Sequence, residues 1–454
     1  MKRLILLLFT FHFSLFISYA QERKPCGTSV LARRHVAEEG SFVRARLKKE
    51  PQQKAYLGEK RGLIILVEFA DTKFQDEDPF QTWNDIANFR GYAEHSAPGC
   101  VSDYFHAQSY GQFDLVFDVV GPIEAQHEHA YYGENIDWGD PTGWFDKNVG
   151  ELVEEACRAV SNQVQFKDYD WNDDGEVDQV FLLYAGHGEN DYSRQDSTVI
   201  WPHMASLIED WDYKDGLVLQ DMVINTYACG NEINRSGQLE GLGTFCHEFS
   251  HCLGLPDLYD TEKGRTIVGS YDLMDQGCYN GGGWCPVGYS SYERYACGWL
   301  TPEEIEDPYA VKGSDPDNEL TRGLGFRSIK PLIRYPDAYI WRSSPDANDY
   351  YLIEYRLKES WDAKIPVDGL MAWHIDYDEK AWEENTVNND PKHLRVERMT
   401  LDKMKVTGII GVQQDDNDRP YAVYDLNGRF QSPSLSPNLH IVKYPDGTTK
   451  KVFR

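Results

Sequence analysis

The stretch GLGTFCHEFSHCLGLPDLYD, residues 241–260, constrains this chain more than any other. His247 and His251 are four residues apart, so their imidazoles share a face only if the backbone between them is helical. Two imidazoles on one helix face can bind a single divalent metal ion. Glu248 sits beside them, where its carboxylate can take a proton from a metal-activated water. Leu242, Phe245, Cys246 and Phe249 give the helix apolar surface with which to seat in a core. Gly254 supplies a residue able to adopt positive φ, ending the helix and turning the chain. Asp257, ten residues after His247, is thereby brought back toward the metal, and Pro256 stiffens the approach. Asp260 is near enough in sequence to compete with it.

The rest of the chain is read for what could support such a helix. Leu63 to Phe69 (LIILVEF) is a continuous apolar run, the mark of a buried strand, and 113–121, 177–185, 198–202 and 221–228 read as further strands. Val149, Leu152, Val153, Ala156, Cys157 and Val160 recur at helical spacing. Strands mixed with helices in this order predict an α/β or α+β domain over residues 61–305. Beyond Trp299 the pattern changes. Segments 349–357, 369–377, 421–426 and 439–453, separated by Pro, Asn, Asp and Gly, predict a β-rich region over 306–410 and a small β-module of hairpins over 411–454. Asn427-Gly428 and Asp446-Gly447 are the tight-turn signals of that module.

The N-terminus reads as an export signal. Met1-Lys2-Arg3 precedes the apolar run LILLLFTFHFSLFI, and small residues at Ser18 and Ala20 suit cleavage after residue 20. Residues 21–60 are polar, like a prosegment or loose arm. No later apolar stretch approaches the length of a membrane span, so no stable span is expected after cleavage. A net charge of −29, from 74 Asp plus Glu against 45 Lys plus Arg, argues against attraction to nucleic-acid phosphates. All nine cysteines follow the signal; the odd count leaves at least one thiol unpaired within the chain. Acidic clusters can instead hold hard cations. Asp170, Asn172, Asp174 and Asp178 alternate with Gly175 at the sixth position of the loop, as in calcium loops. The EF-hand pattern then asks for Glu at its twelfth position, where this chain has Phe181. A structural calcium on an incomplete loop is the expectation, with a solvated acidic turn as the alternative.

Several of these blocks resemble the immune-inhibitor-A family of secreted zinc metallopeptidases, in the form found in Bacteroidetes. SDYFHAQSYGQFDLVFDVVGP resembles the family's block upstream of the catalytic helix, HEFSHCLGLPDLYD its zinc motif, YDLMDQG its methionine turn and GYSSYERYACGWL its closing segment. YYLIEYRLKESWD, GLMAWHIDYD and NTVNNDP resemble the β-rich region that follows the protease. The resemblance implies an α+β zincin, metzincin-like catalytic domain, with a twisted sheet and active-site helix, followed by a β-rich C-terminal region. It implies zinc held by His247 and His251, with Glu248 as general base. Asp257 has the metzincin-like position for the third ligand, and Glu293 could serve instead, as the distant glutamate of other zincins does. Met274, 23 residues beyond His251, implies a methionine turn under the metal.

Peptide-bond hydrolysis of protein or peptide substrates by a monomer, secreted or surface-held after transit through the periplasm, is the activity these features imply. Tyr271, Tyr289 and Tyr292 are candidate donors to the oxyanion. The rivals are a non-proteolytic zinc hydrolase and a catalytically relict surface binding protein on a zincin scaffold. Cys26, in Lys24-Pro25-Cys26-Gly27, could cap the metal as a latency thiol, although a disulfide or incidental thiol is the simpler reading. His374 reads as a satisfied β-region residue. Segment 411–454 resembles the C-terminal sorting domains of type IX secretion.

Overall fold

The computed structural model describes residues 56–136, 145–191, 198–209, 213–306, 311–313, 327–342, 348–399 and, further on, 422–424, 430–431, 439–443 and 449–453. The expected signal, most of the N-terminal arm and Cys26 lie outside the described residues.

The LIILVEF run forms most of β1 (Gly58–Glu68), which sits inside a five-stranded sheet. β2 (Phe113–Glu124) and β3 (Val180–His187) flank β1 in parallel, β5 (Thr226–Ile233) continues parallel on β3, and β4 (His203–Ser206) closes the far edge antiparallel. An unbroken apolar strand needs cover on both faces. Ile64 and Leu66 point into one apolar cluster, while Leu63, Ile65 and Val67 point into another. The second cluster is completed by the helix read from its spacing (Val149–Val160), whose Val149, Leu152, Val153, Ala156, Cys157 and Val160 are all buried there.

Two expected strands differ. Residues 198–202 do not pair; side chains occupy their backbone instead. Ile200 N donates to His129 Nε2, Trp201 N to Asp146 Oδ2, and Ile200 O accepts from Tyr184 Oη. The edge strand begins only at His203. The stretch 221–228 is split at Asn225: Met222–Ile224 joins a small sheet with Leu217–Leu219 and Glu176–Val177, and Thr226 opens β5. Leu207 N and Ile208 N both bond to Asn225, fixing the break.

The helix carrying the histidines, α1 (Gly243–Cys252), packs on the other face of the sheet. Phe245 stacks on Phe181 at 3.9 Å between ring centroids, and Phe249 meets Phe105 and Phe117. Gly243 is required at the first turn: a Cβ there would lie 1.9 Å from Cys278 O, so only a residue without one lets the helix approach the 276–283 segment.

The β-rich region is a second five-stranded sheet, Glu303–Glu304, Tyr339–Trp341, Asp349–Arg356, Gly369–Asp376 and Val396–Met399 in that order, antiparallel except at its first pair. It does not stand apart from the catalytic region. A single apolar cluster runs from Phe249 through Tyr289 and Trp361 to Trp373, Ile375 and Trp382. Arg356, fully buried, is paired with Asp362 and Glu354 and donates to Gly288 O, while Glu354 accepts from Ser291 N. A buried guanidinium is tolerable only when its donors are met in this way. Residues 422–424, 430–431, 439–443 and 449–453 form a separate four-stranded antiparallel sheet. No helix among the described residues is long and apolar enough to cross a membrane.

Candidate metal centre

The site is built by α1 and the turn that ends it. Gly254, at φ +86°, closes the helix: its N–H bonds to His251 O and the Leu255 N–H to Ser250 O, the paired bonds of a Schellman turn. That turn presents Leu255 O to His251 Nδ1 at 2.7 Å. Leu273 O, in the methionine-turn segment, lies 2.8 Å from His247 Nδ1. A carbonyl can only accept, so each Nδ1 carries the proton and each Nε2 is left as the electron-pair donor.

The two Nε2 atoms converge on one carboxylate oxygen. Asp257 Oδ1 is 3.2 Å from His247 Nε2 and 3.4 Å from His251 Nε2. His247, Glu248 and His251 offer ligand atoms that all lie within 4.8 Å of one another. Glu248 is 1% exposed and Asp257 is fully buried. Burial alone would raise the Asp257 pKa, yet His251 and His247 in the imidazolium form, with a proton on Nε2 that a bound metal would displace, hold it well below the carboxylate range. The centre therefore favours an anion that attracts positive charge, and the donor set of two imidazoles and a carboxylate suits a divalent metal.

Asp260 points elsewhere. Its Oδ1 accepts from Glu262 N and Lys263 N, and its Oδ2 lies 3.5 Å from Arg265. Glu293 caps its own helix, Ser291–Ala296, accepting from Ser290 N and Oγ, and its charge acts on the nearby Asp272 carboxyl. Met274 is buried. Its backbone supports the site: Leu258 N donates to Met274 O, tying the Asp257 segment to the same turn that orients His247. The three tyrosines serve packing. Tyr289 Oη bonds Ser250 Oγ at the back of α1, Tyr271 Oη accepts from Val367 N, and Tyr292 sits edge-on to Trp382. His374 bonds Asp349, as a satisfied β-sheet residue.

In the acidic loop, Asp170 accepts from Asp174 N and Gly175 N, Asp174 from Glu176 N and Asn172 Nδ2, and Asp178 from Trp171 N. Asp174, Glu176 and Asp178 line a small cavity together with His251 and Cys252, so the loop abuts the end of the metal helix.

Several contributors carry no sequence signal of their own. Asp275 Oδ2 gathers Ile267 N, Val268 N, Gly269 N and Thr266 Oγ1 and so fixes the loop entering the methionine turn. Asn385, 128 residues after Asp257, bonds it twice.

Such a centre, a helix-borne histidine pair with an adjacent glutamate beneath a mixed sheet, belongs to a metallopeptidase. Residues 52–299 match the catalytic domain of the immune inhibitor A peptidases, M6, and the chain is a member of that family. It is 27% identical over 287 residues to immune inhibitor A of Bacillus thuringiensis, covering 54% of this chain and 40% of that protein. It is 25% identical over 292 residues to the pre-pro-metalloprotease PrtV of Vibrio cholerae, covering 52% of this chain and 30% of that protein. The matched portion thus spans well under half the length of these relatives.

Asp272 provides a test of the electrostatics beneath the centre. Burial, then the neighbouring Glu293 charge, push its pKa well above the usual carboxylate value. The native state therefore binds a proton that the unfolded chain releases above about pH 3.9. Stability is lost as pH rises from there through the folded pKa. Asp272→Asn mimics the protonated form and keeps an oxygen for Met274 N. It is expected to flatten this decline, so that its advantage over the parent grows with pH in urea unfolding at a series of pH values; a parallel pH profile would contradict the assignment.

Proposed function

We propose that this chain is an exported zinc-dependent endopeptidase on a metzincin-like zincin fold, acting on protein substrates with His247, His251 and Asp257 as zinc ligands. One observation carries the reading. A tetrahedral zinc with bonds of about 2.0–2.1 Å places neighbouring ligand atoms about 3.3–3.4 Å apart, and Asp257 Oδ1 lies 3.2 and 3.4 Å from the two imidazole nitrogens. Both carboxylate–imidazole separations thus match what a tetrahedral zinc would ask for. Glu293, held in its capping box, is the less favoured third ligand.

Bound there, zinc would supply Lewis-acid polarisation to water and to the scissile carbonyl. Glu248 would take the proton of the attacking water and return it to the departing amine. Leu273 O and Leu255 O would hold both histidines in the tautomer whose Nε2 presents its lone pair to the metal. The buried walls exclude bulk water and strengthen each of these interactions. The relict alternative would have no use for Glu248, which is present and buried beside the imidazoles.

Glu248→Gln is expected to reduce casein or gelatin cleavage by about 10²–10⁴-fold while zinc content stays at the parent level. Asp257→Ala should lose zinc. Cleavage that survives both a zinc chelator and Glu248→Gln would overturn the zinc and Glu248 mechanism, and no cleavage of unfolded substrates by zinc-loaded, processed protein would end the peptidase reading.

Asp170, Asn172, Asp174 and Asp178 are proposed as a structural calcium loop, supported by their alternation and by the loop's position against His251 and Cys252. Calcium should raise the Tm of the parent and leave Asp170→Ala unmoved; a parent indifferent to calcium would reduce the loop to a solvated turn.

Export through residues 1–20 and sorting by the β-module 411–454 complete the proposal. Deleting 411–454 should spare zinc binding and peptidase activity but hold the protein in the periplasm. Normal appearance of the truncated enzyme outside the cell would show that the module does not sort.

A further inference from the structure

We infer that Asn385, in the β-rich region and outside the residues matched to the peptidase domain, is a positioning residue that sets which oxygen of Asp257 faces the metal. The inference rests on Asp257 being a ligand, as proposed above. Asp257 N donates to Asn385 Oδ1 at 2.7 Å, and Asn385 Nδ2 donates to Asp257 Oδ2 at 2.7 Å. One amide side chain thus engages both the backbone and the outer carboxylate oxygen of the same residue. Oδ1 is left directed at the two imidazoles. Asn385 and Asp257 are 1% and 0% exposed, so water does not compete for these bonds.

The amide suits this pairing. Asp257 needs an acceptor for its N–H and a donor for its Oδ2, and the Asn side chain carries one of each. Aspartate would set two carboxylates face to face, and an aliphatic residue would strand both Asp257 groups. Asn385 is itself held at φ +51°, a left-handed conformation that Asn tolerates. Its backbone carbonyl accepts from Thr261 Oγ1.

Neighbours attach the same loop without touching the carboxylate. Trp382 Nε1 donates to Gly254 O, and Asn388 Nδ2 to Leu258 O. The segment 382–389 therefore grips 254–261 at several points, while Asn385 alone among these three meets the Asp257 carboxylate. Partners of this kind set ligand orientation and metal affinity.

The test uses full-length protein, metal-free and then titrated with zinc against a chromogenic chelator. Asn385→Gly keeps the left-handed backbone unstrained while removing the clasp. It is expected to weaken zinc binding by about 10–100-fold and to lower the Tm of the metal-free protein, because the Asp257 N–H and Oδ2 lose their partner. With Co²⁺ in place of zinc, the visible absorption of Asn385→Gly should weaken, because a released carboxylate can add its second oxygen and raise the coordination number. Asn388→Ala, which loosens the same loop elsewhere, should leave both readouts near the parent. Should Asn385→Gly not fold, Asn385→Ser, shorter and without the NH₂ group, carries the same expectation. Zinc affinity within twofold of the parent in the Asn385 variant, with Asp257→Ala losing zinc, would overturn the inference and leave the zinc site standing. An equal loss in Asn388→Ala would also overturn it, since the effect would then be general loosening. Full zinc retention by Asp257→Ala would remove the ligand assignment and this inference together.

Discussion

Everything in this structure depends on holding one carboxylate and two imidazole nitrogens together in the dry interior. Asp257 is fully buried, and a buried carboxylate is costly unless it is paired and hydrogen-bonded. Each of its polar groups has a designated partner: the imidazoles for Oδ1, Asn385 for Oδ2 and for the backbone N–H. The imidazoles are fixed in turn by two backbone carbonyls, one from the turn that ends the helix and one from the methionine-turn segment. Three pieces of chain distant in sequence must therefore be in register before the centre exists.

The packing around the centre serves that registration. Phe245 and Phe249 seat the helix against Phe181, Phe105 and Phe117, and the absence of a Cβ at Gly243 lets the 276–283 segment come close enough to lock it. The β-rich region shares this core and adds its own polar fastenings, Arg356 to Gly288 O and Glu354 to Ser291 N. Its loop at 382–389 reaches the turn that carries Asp257 directly. The peptidase match ends at residue 299, but the bonds that hold the proposed third ligand do not.

Acidic side chains here divide by what meets them. Asp275 is surrounded by backbone N–H groups and organises a loop. Asp272 faces another carboxyl and is pushed toward its protonated form. Asp260 closes a turn through Glu262 N and Lys263 N. Their roles follow from donors supplied by other segments, so residue type alone could not rank them.

The sequence by itself determined the local chemistry: a helix with His247, Glu248 and His251, ended at Gly254 and returning at Asp257. It did so because helical spacing and positive φ are properties of a few adjacent residues. The buried strand at 63–69 and the helix at 149–160 were legible for the same reason. The strand expected at 198–202 was not, because His129, Asp146 and Tyr184, far away in sequence, claim its backbone. Only the tertiary structure decided that Asp257 rather than Asp260 or Glu293 faces the histidines, and that Asn385 holds it there. An Asn-rich run such as NTVNNDP reads as a turn until its partners are in place. A hydrogen bond across 128 residues leaves no periodicity for a single sequence to display.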